Sequence, residues 1–173
     1  MVASRICVLA IAAAVALPVF AHGPGAHVHG IAKLDVAVDG NTLTLGLESP
    51  LDNLLGFEHM PRDDKQKAAV RAMADTLNKP AALFVATPAA DCAPVSVKLD
   101  SPVLEPANKN PGDGHADLDG EFVFHCSHPE ALRNIEVRMF GAFPHLRRLD
   151  VQVVGTRGQT AMALTAKQPV VSW

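Results

Sequence analysis

Eight histidines are distributed along the chain, and the residues around them indicate which ones could bind a metal ion. His27 and His29 stand two residues apart where an alternating apolar and polar stretch begins. Because alternate residues of a strand point to one face, both imidazoles are expected on the polar face of the same strand. Neutral imidazole is a preferred ligand of Zn²⁺ and Cu²⁺, and a tetrahedral zinc site takes three or four protein groups. The pair supplies up to two of them.

A second set of candidate ligands lies in residues 115–126, which also alternate. One phase is small or apolar and is predicted to face the core: Ala116, Leu118, Gly120, Phe122, Phe124 and Cys126. The other phase is His115, Asp117, Asp119, Glu121, Val123 and His125. Neighbours on that face are about 6 to 7 Å apart, so two of them can share an ion. If the first strand lay beside this one, its two histidines could converge on one ion with His115 and Asp117.

Each of these residues also has a structural interpretation. A polar strand face commonly does no more than contact solvent. For Asp119 and Glu121, a solvated role and a metal-binding role are given equal weight. His59 is either a ligand or a buried hydrogen-bonding histidine, and His125 either binds metal or supports the neighbouring cysteine. Two further histidines are interpreted as structural: His128, which precedes a proline at a predicted helix start, and His145, which follows Pro144 in a predicted loop.

Sequence motifs of catalysis are scarce. The chain has no G-x-S-x-G, H-E-x-x-H, phosphate-binding loop or C-x-x-C motif, so it is predicted not to be an enzyme. One enzyme-like alternative is a copper centre in which an N-terminal His22 binds through its amine and its ring together. The Gly-Pro-Gly segment at residues 23–25 would connect such a centre to the domain through a flexible linker, which argues against a preorganised active site.

Residues 1–21 are predicted to be a signal peptide. They carry one basic residue, Arg5, an apolar stretch over residues 6–16 and an ending typical of signal-peptidase cleavage after Ala21. The apolar stretch is too short for a membrane span of about 20 residues, and no other segment is apolar enough. Acidic residues outnumber basic ones by 18 to 15, so neither nucleic acid nor an anionic membrane surface is an expected partner.

Export predicts an oxidising compartment, where the two cysteines beyond the signal peptide, Cys92 and Cys126, are expected to be bridged. On the chain-entropy model, closing this loop stabilises the fold by roughly 3 to 4 kcal/mol. The competing interpretation, two thiolates binding a metal, needs further ligands at short spacing, and Cys92 has none in its sequence neighbourhood.

The remaining pattern predicts an α+β domain over residues 22–173, either one body or two packed halves with an exposed linker near residues 105–114. Residues 28–38 alternate as a half-buried strand, and Asp39-Gly40-Asn41 is typical of a turn into a return strand over 42–48. A helix is predicted from Asp63 or Asp64 to Asn78. Further short strands are predicted, which makes the sheets mostly antiparallel: 81–87, 94–99, 115–126, 135–140, 149–155 and 161–165.

Four segments together resemble the ZrgA-type family of periplasmic proteins, which is associated with zinc in Gram-negative bacteria. In order along the chain they are HVHGIAKLDVAVDGNTL, ESPLDNLLGFEHMP, HADLDGEFVFHC and AFPHLRRLDVQVV. The resemblance implies a periplasmic zinc-binding protein, accessory to zinc acquisition or buffering, whose partners are the metal ion and a component of a zinc-uptake system. It places these residues at or near the metal: His27, His29, His59, His115, Asp117 and His125.

Two questions stay open at this point. Histidine suits Cu²⁺ and Ni²⁺ as well as Zn²⁺, so the residue types do not select among the three metals. The chain also departs from zinc-linked members that carry a long His-rich insertion, which limits the expectation to one or two sites.

The competing hypothesis is an envelope interaction or ligand-binding module whose histidines are incidental.

Overall fold

The computed structural model describes residues 28–104, 116–155 and 158–173. The strands in these ranges are β1 Ile31–Asp39, β2 Thr42–Pro50, β3 Phe84–Ala86, β4 Cys92–Asp100, β5 Asp117–Cys126, β6 Asn134–Val137, β7 Arg148–Gly155, β8 Gly158–Leu164 and β9 Val170–Ser172. The helices are α1 Leu51–Leu55, α2 Asp64–Leu77, α3 Pro80–Leu83 and α4 Met139–Ala142, with 3₁₀ turns at Pro88–Ala90 and Pro129–Ala131.

The strands form two sheets. Six strands lie in the order β4-β5-β2-β1-β7-β8, and three lie in the order β3-β6-β9. Every pairing is antiparallel except that of β1 with β7, which is parallel. The predicted α+β class with mostly antiparallel sheets and one principal helix is confirmed.

The core lies on one face of the six-stranded sheet, under the apolar phase of each strand. In β1 the buried residues alternate as Ala32, Leu34 and Val36, and the phase of β5 predicted to face the core is buried throughout. The rings of Phe84 in β3 and Phe122 in β5 lie 5.1 Å apart, so the small sheet packs against the large one.

The predicted bounds of helix α2 are confirmed, and so is the acidic residue expected at its start. The side chain of Asp63 accepts a hydrogen bond from the Gln66 backbone N–H at 2.8 Å, which caps the helix start. Asn78 ends the helix, where its backbone N–H donates to Ala74. The apolar face that packs on the core is Val70, Met73 and Leu77.

Several predicted bounds are wrong, for local reasons. β1 begins at Ile31 and not at residue 28, because Gly30 has a φ of +87° and turns the chain first. The predicted strand over 81–87 begins as helix α3, since Pro80 favours a helix start. The strand predicted over 135–140 ends at Val137 and is followed by α4. β9 was not predicted.

The predicted disulfide is present between Cys92 and Cys126, which face each other across β4 and β5. The predicted signal peptide at residues 1–21 and the predicted linker near 105–114 lie outside the described residues. Among the helices described, none is long and apolar enough to cross a bilayer.

Candidate metal-binding site

Three segments meet at the end of the large sheet where β1 begins. The turn before β1 is closed by the Ile31 backbone N–H, which donates to the Val28 carbonyl at 3.1 Å. The Gly30 carbonyl accepts from the backbone N–H groups of both Arg147 and Arg148, so the chain entering β7 is tied to this turn. Helix α1 follows β2 at the same end of the sheet.

Asn53 of α1 fixes this junction. Its side chain is fully buried, at 0% exposure, and its Oδ1 accepts a hydrogen bond from the Gly30 backbone N–H. Its Nδ2 donates to the Ile31 carbonyl at 2.9 Å and to Ser49 Oγ at 3.2 Å. A buried amide with these partners holds the turn in place. It therefore also fixes the position of the backbone of His29, the residue just before Gly30.

That residue is His29, and its ring lies between two carboxylates. Its Nε2 is 3.1 Å from Oε1 of Glu58, whose side chain is only 10% exposed. Its Nδ1 is 3.8 Å from Oδ2 of Asp52, too far for a hydrogen bond but close enough for charge attraction. The imidazole is itself 59% exposed, so solvent and ligands reach it. The prediction that His29 lies on the polar face of a strand is wrong, because His29 lies in the turn that precedes β1.

His59 lies directly after Glu58 and is half-buried. Its Nδ1 is 2.9 Å from the Met60 carbonyl, and its ring stacks on Phe57 with the centroids 5.1 Å apart. Because a carbonyl only accepts, this contact requires a proton on Nδ1 and leaves the lone pair of a neutral ring on Nε2. That is the tautomer in which Nε2 binds metal, with Nδ1 held by a backbone carbonyl.

His145 also belongs to this end of the molecule, although the sequence suggested only a structural role. A Cβ added to Gly56, which ends α1 at a φ of +78°, would lie 3.3 Å from Cε1 of His145. Sequence reasoning also missed Asp52 and Asn53. Their signal in the sequence is that they are two adjacent polar residues in the otherwise apolar run 51–55.

The other two candidates that the structure describes, Asp117 and His125, lie at opposite ends of β5. Asp117 pairs with Pro50, and the Ala116 carbonyl accepts from the Leu51 N–H, so Asp117 lies near the start of α1. The adjacency on which a shared ion depended is not found, because β2 separates β1 from β5 by two strand spacings, about 10 Å. His125 pairs with Thr42 at the far end of β5, about 26 Å from Asp117 along the strand.

His22, His27 and His115 lie outside the described residues. Within the described ranges, no group of three or more His, Cys, Asp or Glu side chains is placed to hold a metal ion. The closest approach to a site there is the pair His29 and Glu58, with Asp52 beside it. We call these three residues the β1-turn cluster.

Residues 26–173 match the family model of the ZrgA family zinc uptake protein. The chain belongs to this family. A comparison with curated proteins finds no match. The matched range of this ZrgA family protein includes the β1-turn cluster and His59.

The spacing within the β1-turn cluster suits the first two ligands of a zinc ion. In a tetrahedral site with metal–ligand bonds of about 2.0 to 2.1 Å, any two ligand atoms are about 3.3 Å apart. His29 Nε2 and Glu58 Oε1, at 3.1 Å, are already close to that separation. The two side chains would therefore need little rearrangement to bind the same ion.

Proposed function

We propose that this protein binds Zn²⁺ in the periplasm at the β1-turn cluster, and that it buffers the ion or delivers it to a zinc-uptake system without catalysing a reaction. The observation that supports this most directly is the 3.1 Å separation between His29 Nε2 and Glu58 Oε1 in a member of a zinc uptake family. A nitrogen and a carboxylate oxygen are both common zinc ligands.

Each residue of the cluster has a distinct role in this proposal. His29 and Glu58 are the ligands, and the buried position of Glu58 holds its carboxylate in one place. Asp52 lies 3.8 Å from the other ring nitrogen of His29, and a small approach on metal binding would let its carboxylate accept a hydrogen bond from Nδ1 and orient the ring. His59, the residue after Glu58, is a candidate for a third ligand, and His27, two residues before His29 in the sequence, is a candidate for a fourth.

The ligand set favours exchange of the metal over permanent retention. A zinc ion enclosed by four thiolates is structural and is held closed, whereas a mixed histidine and carboxylate site with an exposed imidazole keeps positions open. A carrier needs such open positions, because the receiving protein must replace the ligands one at a time. Cys92 and Cys126 are bridged to each other and do not provide thiolates.

A competitive zinc titration of the metal-stripped chain beginning at His22 tests the proposal. We expect one zinc ion per chain and a large loss of affinity in His29→Ala. His125→Ala is the matched control, since His125 lies at the other end of the sheet and should leave affinity unchanged. Equal affinity in His29→Ala and the unsubstituted chain would contradict the proposed site, and absence of zinc binding in both would contradict the function.

A further inference from the structure

The two edges of the six-stranded sheet differ in their chemistry. Among the strands that the structure describes, β4 and β8 are the outermost, so each has a row of backbone N–H and C=O groups turned away from its one described neighbour. Such a row is a template for pairing with another strand, and proteins usually protect it with charge, proline or a bulge.

The β4 edge carries all three protections. Pro94 removes a donor, and the register with β5 shifts between Pro94 and Ser96. Val95 lies at that irregularity with 67% of its surface exposed. Lys98 and Asp100 add charge to the second half of the strand. This edge is therefore a poor partner for another strand.

The β8 edge carries none of them. Its sequence, GQTAMAL, contains no charged residue and no proline. It pairs with β7 in unbroken register over all seven residues, from Gly158 opposite Gly155 to Leu164 opposite Leu149. Most of the strand is exposed, and Leu164 is its one buried residue. A regular, neutral, exposed edge is the kind that accepts a further strand.

The hairpin geometry identifies the groups available for pairing. Two residues separate Gly155 from Gly158, and the pair that closes such a short hairpin exchanges hydrogen bonds. Hydrogen-bonded and non-bonded pairs then alternate, which turns the backbone groups of Gln159, Ala161 and Ala163 outward. Ala161 pairs with the exposed Gln152, so its side chain lies on the solvated face of the sheet.

We propose that β8 pairs antiparallel with β8 of a second copy of this chain, about a twofold axis that passes through Ala161. Every cross-strand pair is then between neutral residues, with Gln159 opposite Ala163 and Thr160 opposite Met162. Like charges directly opposite one another are the main obstacle to self-pairing, and β8 has no charge at any position. Closed twofold dimers are also the commonest soluble assemblies.

A second copy explains the composition of the edge better than a foreign peptide does. Peptides that add to a sheet edge are selected by pockets for their alternate side chains. The side chains that β8 presents on the solvated face beside its outward groups are Gln159, Ala161 and Ala163, all neutral and two of them small, and they give little basis for selecting a sequence. Self-pairing needs no such pocket, because the twofold axis alone determines the register.

Sedimentation analysis of the chain beginning at His22, over a range of concentrations, tests this proposal. We expect a reversible dimer that Ala161→Lys weakens at least tenfold, because two lysines then meet at the axis. Val95→Lys, at the opposite edge, is the matched control and should leave the dimer unchanged. A monomer at every concentration, a dimer unaffected by Ala161→Lys, or equal weakening by both substitutions would each overturn the proposal.

Amide hydrogen exchange of the unsubstituted chain gives a second test that does not depend on a variant folding. The amides of Gln159, Ala161 and Ala163 should exchange more slowly as concentration rises, while those of Val97 and Lys98 in β4 should not. Exchange at the three β8 amides that is independent of concentration would also overturn the proposal.

Discussion

The Nε2 atom of His29 lies 3.1 Å from the Oε1 atom of Glu58, at the turn that leads into β1. If the two atoms share a zinc ion, Glu58→Gln should lower zinc affinity by at least tenfold, since even carboxylates that only support a ligand contribute 10- to 100-fold. The measurement is a competitive titration against a zinc chelator. Glu48→Gln is the control, because Glu48 is exposed on β2 and pairs with Lys33. Equal affinities in the two variants would refute a role for Glu58.

Asn53→Ala should lower the free energy of unfolding by about 1 to 3 kcal/mol, because it leaves buried partners of the amide without hydrogen bonds. Urea unfolding measures this loss. Asn78→Ala is a suitable control, since Asn78 is exposed at the end of α2 and its loss should cost less.

The same substitution tests whether Asn53 positions His29. Zinc affinity should fall in Asn53→Ala, and the fall should vanish when His29 is already alanine, because the amide acts on the metal only through the turn. An equal fall in both backgrounds would mean that Asn53 affects zinc binding by another route.

The parts of the fold that could be predicted from sequence are those fixed by neighbours in the chain. The bounds of α2 follow from an Asp63 cap and apolar residues at helical spacing, and the core face of β5 follows from strict alternation. The pairing of Cys92 with Cys126 was predicted from their number and from the compartment that the predicted signal peptide implies. None of these needs information about distant contacts.

The candidate site could be predicted only in part, because long-range contacts assemble it. His29 was identified from its type and spacing, but its carboxylate partners come from α1 and the loop after it, more than twenty residues away. The condition for a shared ion, that β1 lie beside β5, is not met because β2 lies between them. His125 and Asp117 share a strand face, yet alternation does not indicate which end of the strand lies near the other ligands.

The disulfide should affect stability and leave zinc binding unchanged. Replacing Cys92 and Cys126 together by alanine should lower the free energy of unfolding by about 3 to 4 kcal/mol, from the entropy of the loop that the bridge closes. Zinc affinity should not change, because Cys126 lies next to His125 at the far end of β5 from the β1-turn cluster. A reductant should destabilise the unsubstituted chain and have no effect on the double variant. A large loss of zinc affinity in the double variant would contradict this separation.

Gly56→Ala should destabilise the protein by about 1 to 2 kcal/mol, because residue 56 holds a φ of +78° that an L side chain rarely adopts. The new Cβ would also lie 3.3 Å from Cε1 of His145, so the ring must shift slightly. Gly40→Ala separates the two effects, since Gly40 has a φ of +57° but a Cβ there meets no described atom within 4 Å. Urea unfolding measures the loss of unfolding free energy in each variant. The loss in Gly40→Ala reports the backbone effect alone, and any larger loss in Gly56→Ala includes the contact with His145.

The His145 ring resonances report the contact itself. They should move in Gly56→Ala and stay unchanged in Gly40→Ala, because only the first substitution places a methyl group against the ring. If the resonances move equally in both variants, His145 senses the global loss of stability and not the end of α1, and its contact with Gly56 would have to be revised.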